Sequence, residues 1–305
     1  MPRRLAFGLL LLLCGPAAWA DDLADCNQMT DLDRRIRGCT NLIGQGKFQG
    51  SSLAVLHDNR GLAYGAKGDL DRAIADHAKA IEIDPADATA HYHRGLASAM
   101  KGAFDAAIAD FSKAVELNAK LAPAYYNRGA SYGRMGDDAR AIADYTKAIE
   151  IAPQWVQAYF VRGVTYEHQG ELDRAIADYN KVLELDPGAG QVYGYRGVAY
   201  ERKGDHARAI ADHTKTIELD PKLAQSYVTR GNAYVGKGDL DLSIADYTKA
   251  IELNPNLLIA FFARGVAYER KRDNQRAVAD YRGALRLDPT DKASREGLTR
   301  LGASP

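Results

Sequence analysis

Between residues 122 and 155 the apolar positions fall into two stripes of helical period. Tyr125, Gly129 and Tyr132 share one face of a segment running from Pro123 to Met135, and Ala141, Ile142, Tyr145, Ala148 and Ile149 share one face of a second, from Ala139 to Ile151. Gly136 suits a left-handed helix end, Asp137 or Asp138 suits the cap of the next helix, and Pro153 stops it. The pattern predicts two helices joined by a short turn, and therefore an antiparallel hairpin. Gly129 would face Ala141 and Ala148, with Tyr125, Tyr132 and Tyr145 filling the wedge. One such hairpin leaves an apolar face uncovered, so neighbours must stack.

The pattern recurs at a constant step of 34 residues. Arg-Gly stands at Arg60, Arg94, Arg128, Arg162, Arg196, Arg230 and Arg264, each followed by Gly. Asp76, Asp110, Asp144, Asp178, Asp212, Asp246 and Asp280 form a second column, and Ala73, Ala107, Ala141, Ala175, Ala209, Ser243 and Ala277 a third. Tyr159, Gly163, Tyr166, Ala175, Tyr179, Val182 and Pro187 follow the order aromatic, Gly, Tyr, Ala, aromatic, small apolar, Pro.

In that order the chain resembles the tetratricopeptide repeat family over residues 54–291, as seven repeats: 54–87, 88–121, 122–155, 156–189, 190–223, 224–257 and 258–291. The resemblance implies an all-α fold, a right-handed superhelical solenoid of helix-turn-helix units whose first helices line a concave wall. It also implies protein binding without catalysis. Three repeats depart from the pattern. The second has Ser98 for Tyr and Ala119 for Pro, the seventh has Arg272 where the others have Gly, and the fifth opens on Pro187-Gly188-Ala189-Gly190 and carries Gly194 inside its first helix. That glycine cluster reads as drift in a buttressed array; the functional alternative is a hinge, or a point where a ligand backbone passes closely.

The ends have their own logic. Arg3 and Arg4 precede an apolar run from Leu5 to Cys14, and Ala18-Trp19-Ala20 supplies small residues around a cut, so residues 1–20 read as a cleaved export signal. The run is too short for a membrane span, which needs roughly 20 residues. A lipoprotein acylated at Cys14 is the alternative, disfavoured by the bulky Leu13. Residues 21–53 read as an N-terminal capping segment in which Asp31–Ile43 stands as a lone second helix, Cys26 and Cys39 form a disulfide, and Gly44–Ser52 is a loop. Residues 292–305 read as a C-terminal capping helix and tail. Export places the protein in the periplasm or outside the cell.

Charge narrows the partners. With 40 basic and 40 acidic residues no basic excess points to nucleic acid or an anionic membrane. No hydrolytic or phosphate-binding motif occurs, and the segments flanking the repeats leave no room for a catalytic domain. We therefore assign no catalytic, cofactor-binding or metal-binding residue and read a non-enzyme. His57 and His91 share a column and His77 sits in the aromatic column of second helices, but those columns hold Tyr and Phe elsewhere, so histidine there reads as a substitute for an aromatic. His93 and His168 are expected to face the groove or solvent.

Two constellations remain. Arg94 with Asp110, Arg128 with Asp144 and Arg162 with Asp178 represent a predicted structural ladder of seven partly buried ion pairs, formed within one hairpin or between adjacent ones. The alternative is a cationic stripe for an acidic ligand. The groove column reads Asp58, Tyr92, Tyr126, Phe160, Gly194, Val228, Phe262, and the next reads Asn59, His93, Asn127, Val161, Tyr195, Thr229, Ala263. From these, Tyr92, His93, Tyr126, Asn127, Phe160, Tyr195 and Phe262 are the candidate contacts to a peptide or partner protein; packing against adjacent first helices is the other reading. The function expected is a scaffold that binds a peptide segment or partner protein in its groove. The alternative is a self-assembling structural component of a cell-envelope complex, with homo-oligomers.

Overall fold

The computed structural model describes residues 17–304, and every regular element among them is a helix. They divide into two compact units, up to Ile151 and from Ala152. The first unit holds α1 (Ala17–Asn27), α2 (Leu32–Gly44), α3 (Gly50–Ala66), α4 (Leu70–Ile83), α5 (Ala88–Met100), α6 (Phe104–Leu117), α7 (Ala122–Arg134) and α8 (Asp138–Ile151). The second holds α9 (Val156–His168), α10 (Leu172–Leu185), α11 (Gly190–Arg202), α12 (His206–Leu219), α13 (Ala224–Lys237), α14 (Leu240–Leu253), α15 (Leu258–Arg270), α16 (Asn274–Leu287) and α17 (Lys292–Arg300). From α3 onward, odd and even helices pair as hairpins, and within each unit each hairpin packs on the next.

Local chemistry sets the boundaries. Asp69, Asp205 and Asp273 cap the second helices by accepting a hydrogen bond from the amide three residues on. At the other end, Asp84, Asn118, Asp186, Asp220, Asn254 and Asp288 each accept from the amide two residues ahead, turning the chain toward the next hairpin. The turn inside each hairpin needs a left-handed residue, supplied by Gly in six hairpins; Gly136 has φ +80°. In the seventh, Arg272 takes φ +63° and bears the steric cost itself. Arg272→Gly is therefore expected to raise stability by about 1 kcal/mol, read as a higher urea midpoint at unchanged slope. A lower midpoint would mean that the Arg272 side chain contributes more than its backbone loses.

The wedge inside each hairpin is made by the Gly of Arg-Gly lying against a ring on the second helix. A Cβ at Gly163 would stand 2.8 Å from the Tyr179 ring, and one at Gly231 2.6 Å from the Tyr247 ring. Those rings are fully enclosed, Tyr179 at 0% and Tyr247 at 1% exposure. Gly129 faces Tyr145 and the Ala141 carbonyl. Tyr125 and Tyr132, by contrast, lie under guanidiniums rather than in the wedge: Arg128 is 5.5 Å from the first ring and Arg140 4.3 Å from the second.

Both ends differ in detail from a lone helix and a tail. Residues 31–43 do not stand alone: α1 packs antiparallel on α2, and the Cys26–Cys39 disulfide joins them. Gly38 permits the close approach, since a Cβ there would sit 2.6 Å from the Asp22 carbonyl oxygen. The loop expected over Gly44–Ser52 shortens to residues 45–49 because α3 begins at Gly50, ahead of the repeat pattern. The export signal expected over residues 1–20 lies outside the described residues except for its last four, which open α1. At the other end Asp291 caps α17, Leu298 is buried, and Gly297 lies on the outer face of the Tyr281 ring. The last hairpin is thus covered.

Candidate functional site

The ladder residues come first because their geometry decides what they can offer a ligand. Every Arg of the column donates two parallel hydrogen bonds to the Asp sixteen residues on, in its own hairpin. Arg94 Nε and Nη2 reach Asp110 at 2.9 and 2.6 Å, Arg128 reaches Asp144 at 2.8 and 2.7 Å, and Arg162 reaches Asp178 at 2.8 and 2.7 Å. Arg60, Arg196, Arg230 and Arg264 repeat the arrangement with Asp76, Asp212, Asp246 and Asp280. The aspartates are buried. In several hairpins the remaining Nη1 donates to a neutral side chain on the preceding second helix: Arg128 to Ser112, Arg196 to Asn180, Arg230 to Thr214 and Arg264 to Thr248. These guanidiniums are committed to bidentate pairing inside their own hairpins, a geometry suited to structure rather than to an exposed cationic stripe.

The groove candidates are half-buried, and four of their rings lean on the second-helix ring nineteen residues later. Tyr92 lies 5.9 Å from Phe111, Tyr126 5.7 Å from Tyr145, Phe160 6.3 Å from Tyr179 and Phe262 5.9 Å from Tyr281, centroid to centroid. Adjacent first helices are linked as well: Asn127 donates to the Tyr92 hydroxyl at 3.2 Å, and Tyr195 meets Phe160 edge-on at 5.2 Å. His93 bonds to Asp58 instead of facing open solvent. Tyr92, His93 and Asn127 thus meet in the first unit and Phe160 and Tyr195 in the second, all of them half-buried. The three histidines grouped by column separate: His57 meets Asp76 at 3.1 Å and His91 lies 3.6 Å from Asp110, each at the ladder carboxylate of its own hairpin, while His77 turns to Asp58.

In three hairpins the ring pair is broken, at Asp58, Gly194 and Val228, and the break at Gly194 opens a hole. Gly194 occupies the position of Tyr92, Tyr126 and Phe160, and its partner nineteen residues on is His213. A Cβ at Gly194 would meet only Thr216 Oγ1, at 3.8 Å. The missing ring leaves a cavity of about 700 Å³ among α11, α12 and α13, with Gly190, Gly194, Tyr195, His213, Thr216 and Thr229 in its walls. Leu219, Leu223 and Val198 add apolar surface, and Glu167 borders it from α9. His213 is 1% exposed, and its Nε2 has no hydrogen-bond partner; Glu201 stands 3.8 Å away, beyond bonding distance. Beside it, burial and then the Glu167 carboxylate push the Tyr179 hydroxyl far above the usual phenol range, so the Tyr179 hydroxyl stays a donor to Glu167, at 2.9 Å. The wall thus combines an apolar bed with one unsatisfied imidazole nitrogen, a combination typical of ligand sites of this volume. The glycine cluster was visible in the sequence. His213, Thr216 and Leu219 were not singled out, although the coincidence of Gly194 with a histidine nineteen residues later carried the signal.

Comparison with known proteins follows the same lines. Residues 61–102, 99–136 and 231–271 match the family described as TPR repeat, and residues 122–154, 156–188, 175–224 and 259–291 match families described as tetratricopeptide repeat. No curated protein matches the sequence. Among solved structures, the C-terminal part of a TPR repeat-containing protein from Cytophaga hutchinsonii is 22% identical with a TM-score of 0.69, covering 78% of this chain and 98% of that one. YrrB, described as a TPR protein with an unusual peptide-binding site, is 22% identical with a TM-score of 0.54, over 62% of this chain and 97% of its own. MamA is 31% identical with a TM-score of 0.51, over 54% and 96%.

Proposed function

Because the chain belongs to the tetratricopeptide repeat family, we propose that it is a non-enzymatic protein–protein interaction scaffold whose cavity among α11, α12 and α13 holds an extended segment of a partner. The observation that carries this is the hole at Gly194, where the repeat pattern calls for a ring and the chain supplies none. A bulky apolar side chain of the partner would take the place of the missing ring, against Tyr195, Val198, Leu219 and Leu223. The buried His213 Nε2 would gain a polar partner, and Gln191, Gln225 and Thr229 are suited to the amides of an extended backbone passing over Gly190. The peptide-binding site attributed to YrrB supports the idea that this fold can take a peptide.

The disulfide supports an exported location, since such bonds persist in oxidising compartments. Among the described residues no helix is long and apolar enough to cross a membrane.

Gly194→Phe is the direct test, because it restores the ring of Phe160 and Phe262 and fills the hole without disturbing the pattern. Peptides selected from a random display library on the immobilised protein are expected to share a large apolar anchor. Their affinity for Gly194→Phe, measured by fluorescence anisotropy, is expected to fall roughly 10- to 100-fold, the value of burying one such side chain. Selected peptides that bind Gly194→Phe as tightly as the parent, or a library that yields none, would overturn the assignment.

A further inference from the structure

Another broken ring pair lies in the first hairpin, and there the gap is filled with donors. Asp58 stands where Tyr92, Tyr126 and Phe160 stand in later repeats, and its partner nineteen residues on is His77. The next first helix contributes His93, in a column that elsewhere holds Asn59, Asn127, Val161 and Tyr195. Three departures from the repeat thus converge on one point. His77 Nδ1 lies 2.7 Å from Asp58 Oδ1, and His93 Nδ1 lies 2.9 Å from Asp58 Oδ2. The two imidazoles are 5.6 Å apart by centroids, and one ligand atom from each of the three residues lies within 4.8 Å of the other two.

We propose that Asp58, His77 and His93 form a binding site for a divalent transition-metal ion of the zinc class. Two imidazole nitrogens and a carboxylate oxygen are a donor set such ions prefer. With metal–ligand bonds near 2.0–2.2 Å, tetrahedral donors stand about 3.3 Å apart. From the single oxygen Asp58 Oδ1 the two nitrogens lie at 2.7 and 3.1 Å, and these separations need to open by only about half an ångström or less for an ion to replace the hydrogen bonds. The side chains are held in place: His77 is 2% exposed with its ring against Gly61, and His93 packs on the Tyr92 ring at 5.6 Å. Arg35 of α2 donates to Asn59 Oδ1 at 2.8 Å, alongside the Asp58 carboxylate rather than on it. His93 and Asp58 keep 16% and 13% of their side-chain surface in solvent, which leaves an entry path and a free coordination position. The ligands come from α3, α4 and α5, so an ion would clamp the first hairpin to the second.

The test uses the full chain after exhaustive dialysis against a chelator, titrated with cobalt chloride and then zinc chloride. One equivalent of Co²⁺ is expected to give the intense visible absorption of a low-coordinate site, bleached by one equivalent of Zn²⁺, and zinc is expected to raise the melting temperature. Asp58→Asn and His93→Gln are expected to weaken the ion by at least the roughly 10- to 100-fold that loss of an outer-sphere partner costs. His57→Gln and His91→Gln are expected to leave it unchanged. His93→Gln is the variant least apt to disturb folding, since its side chain is part-exposed, and circular dichroism confirms the fold. Absence of a stoichiometric band in the parent protein, or a band that survives in folded His93→Gln, would overturn the site.

Discussion

Replacing Arg128 by Leu is expected to lower the unfolding free energy by about 3 kcal/mol, and replacing Asp144 by Leu in the same chain is expected to recover most of that loss. The asymmetry follows from the pair's position. Asp144 is 6% exposed and takes both guanidinium hydrogen bonds, so removing Arg128 alone leaves a carboxylate in a site that water barely enters. The Arg128 side chain keeps 18% of its surface, which puts the cost at the lower end of the range for buried pairs. Removing both charges leaves two leucines in a largely apolar seam. A double mutant that loses as much as the single would show that the pair does more than satisfy itself. At the equivalent Asp76, burial acts to raise the carboxyl pKa, but the Arg60 and His57 hydrogen bonds outweigh it and leave it lowered. A lowered folded pKa means that this pair's contribution is present above the unfolded carboxylate range near 4. It is lost only as pH falls through the lower folded value. Chemical denaturation of the Arg128 and Asp144 variants at pH 7 measures the first effect, and that of Asp76→Asn against the parent at pH 7 and at pH 3 measures the second.

Reduction of Cys26–Cys39 is expected to cost about 3 kcal/mol, the chain-entropy value for a loop closed across a separation of 13 residues. The loss should be local. In a stacked array each hairpin contacts only its neighbours, so α1 and α2 should open while α13 and α14 stay protected. Hydrogen exchange with and without a phosphine reductant distinguishes this from a global effect. Equal loss of protection in both regions would mean that the N-terminal hairpin is coupled to the second unit. Unchanged protection in α2 would mean that Arg35, Gly38 and Leu42, all buried, hold that hairpin without the bond.

The hairpins were legible in the sequence because each one repeats a glycine against a ring and a left-handed turn, and several add an aspartate cap. Where the constraint was singular the reading lost detail. Residues 31–43 looked like an isolated helix because α1 carries no repeat signature, and only the disulfide hinted at a partner. Arg and Asp were readable as pairs since both columns recur seven times. Whether each pair closes within a hairpin depended on helix crossing geometry, which periodicity does not encode. Reading columns one at a time also grouped His57, His77 and His91, although contacts run nineteen and thirty-five residues along the chain. By those steps the neighbours of Asp58 are His77 and His93, and the neighbour of His213 is Gly194. The pairing of a histidine with a missing ring, at Asp58 and at Gly194, becomes visible once the columns are compared in pairs.

The Arg–Asp geometry has a further consequence for how such a chain can change length. Both charges of every pair belong to the same 34-residue segment, while the links backward to Ser112, Asn180, Thr214 and Thr248 are neutral hydrogen bonds. A duplicated or excised segment therefore carries its own counter-ion with it and strands no charge at the new junction. The buried charges of each unit are thus self-contained, while the ion pairs that do cross between hairpins, such as Lys101–Asp71 and Lys203–Asp173, lie at the surface, where water can take either partner's place.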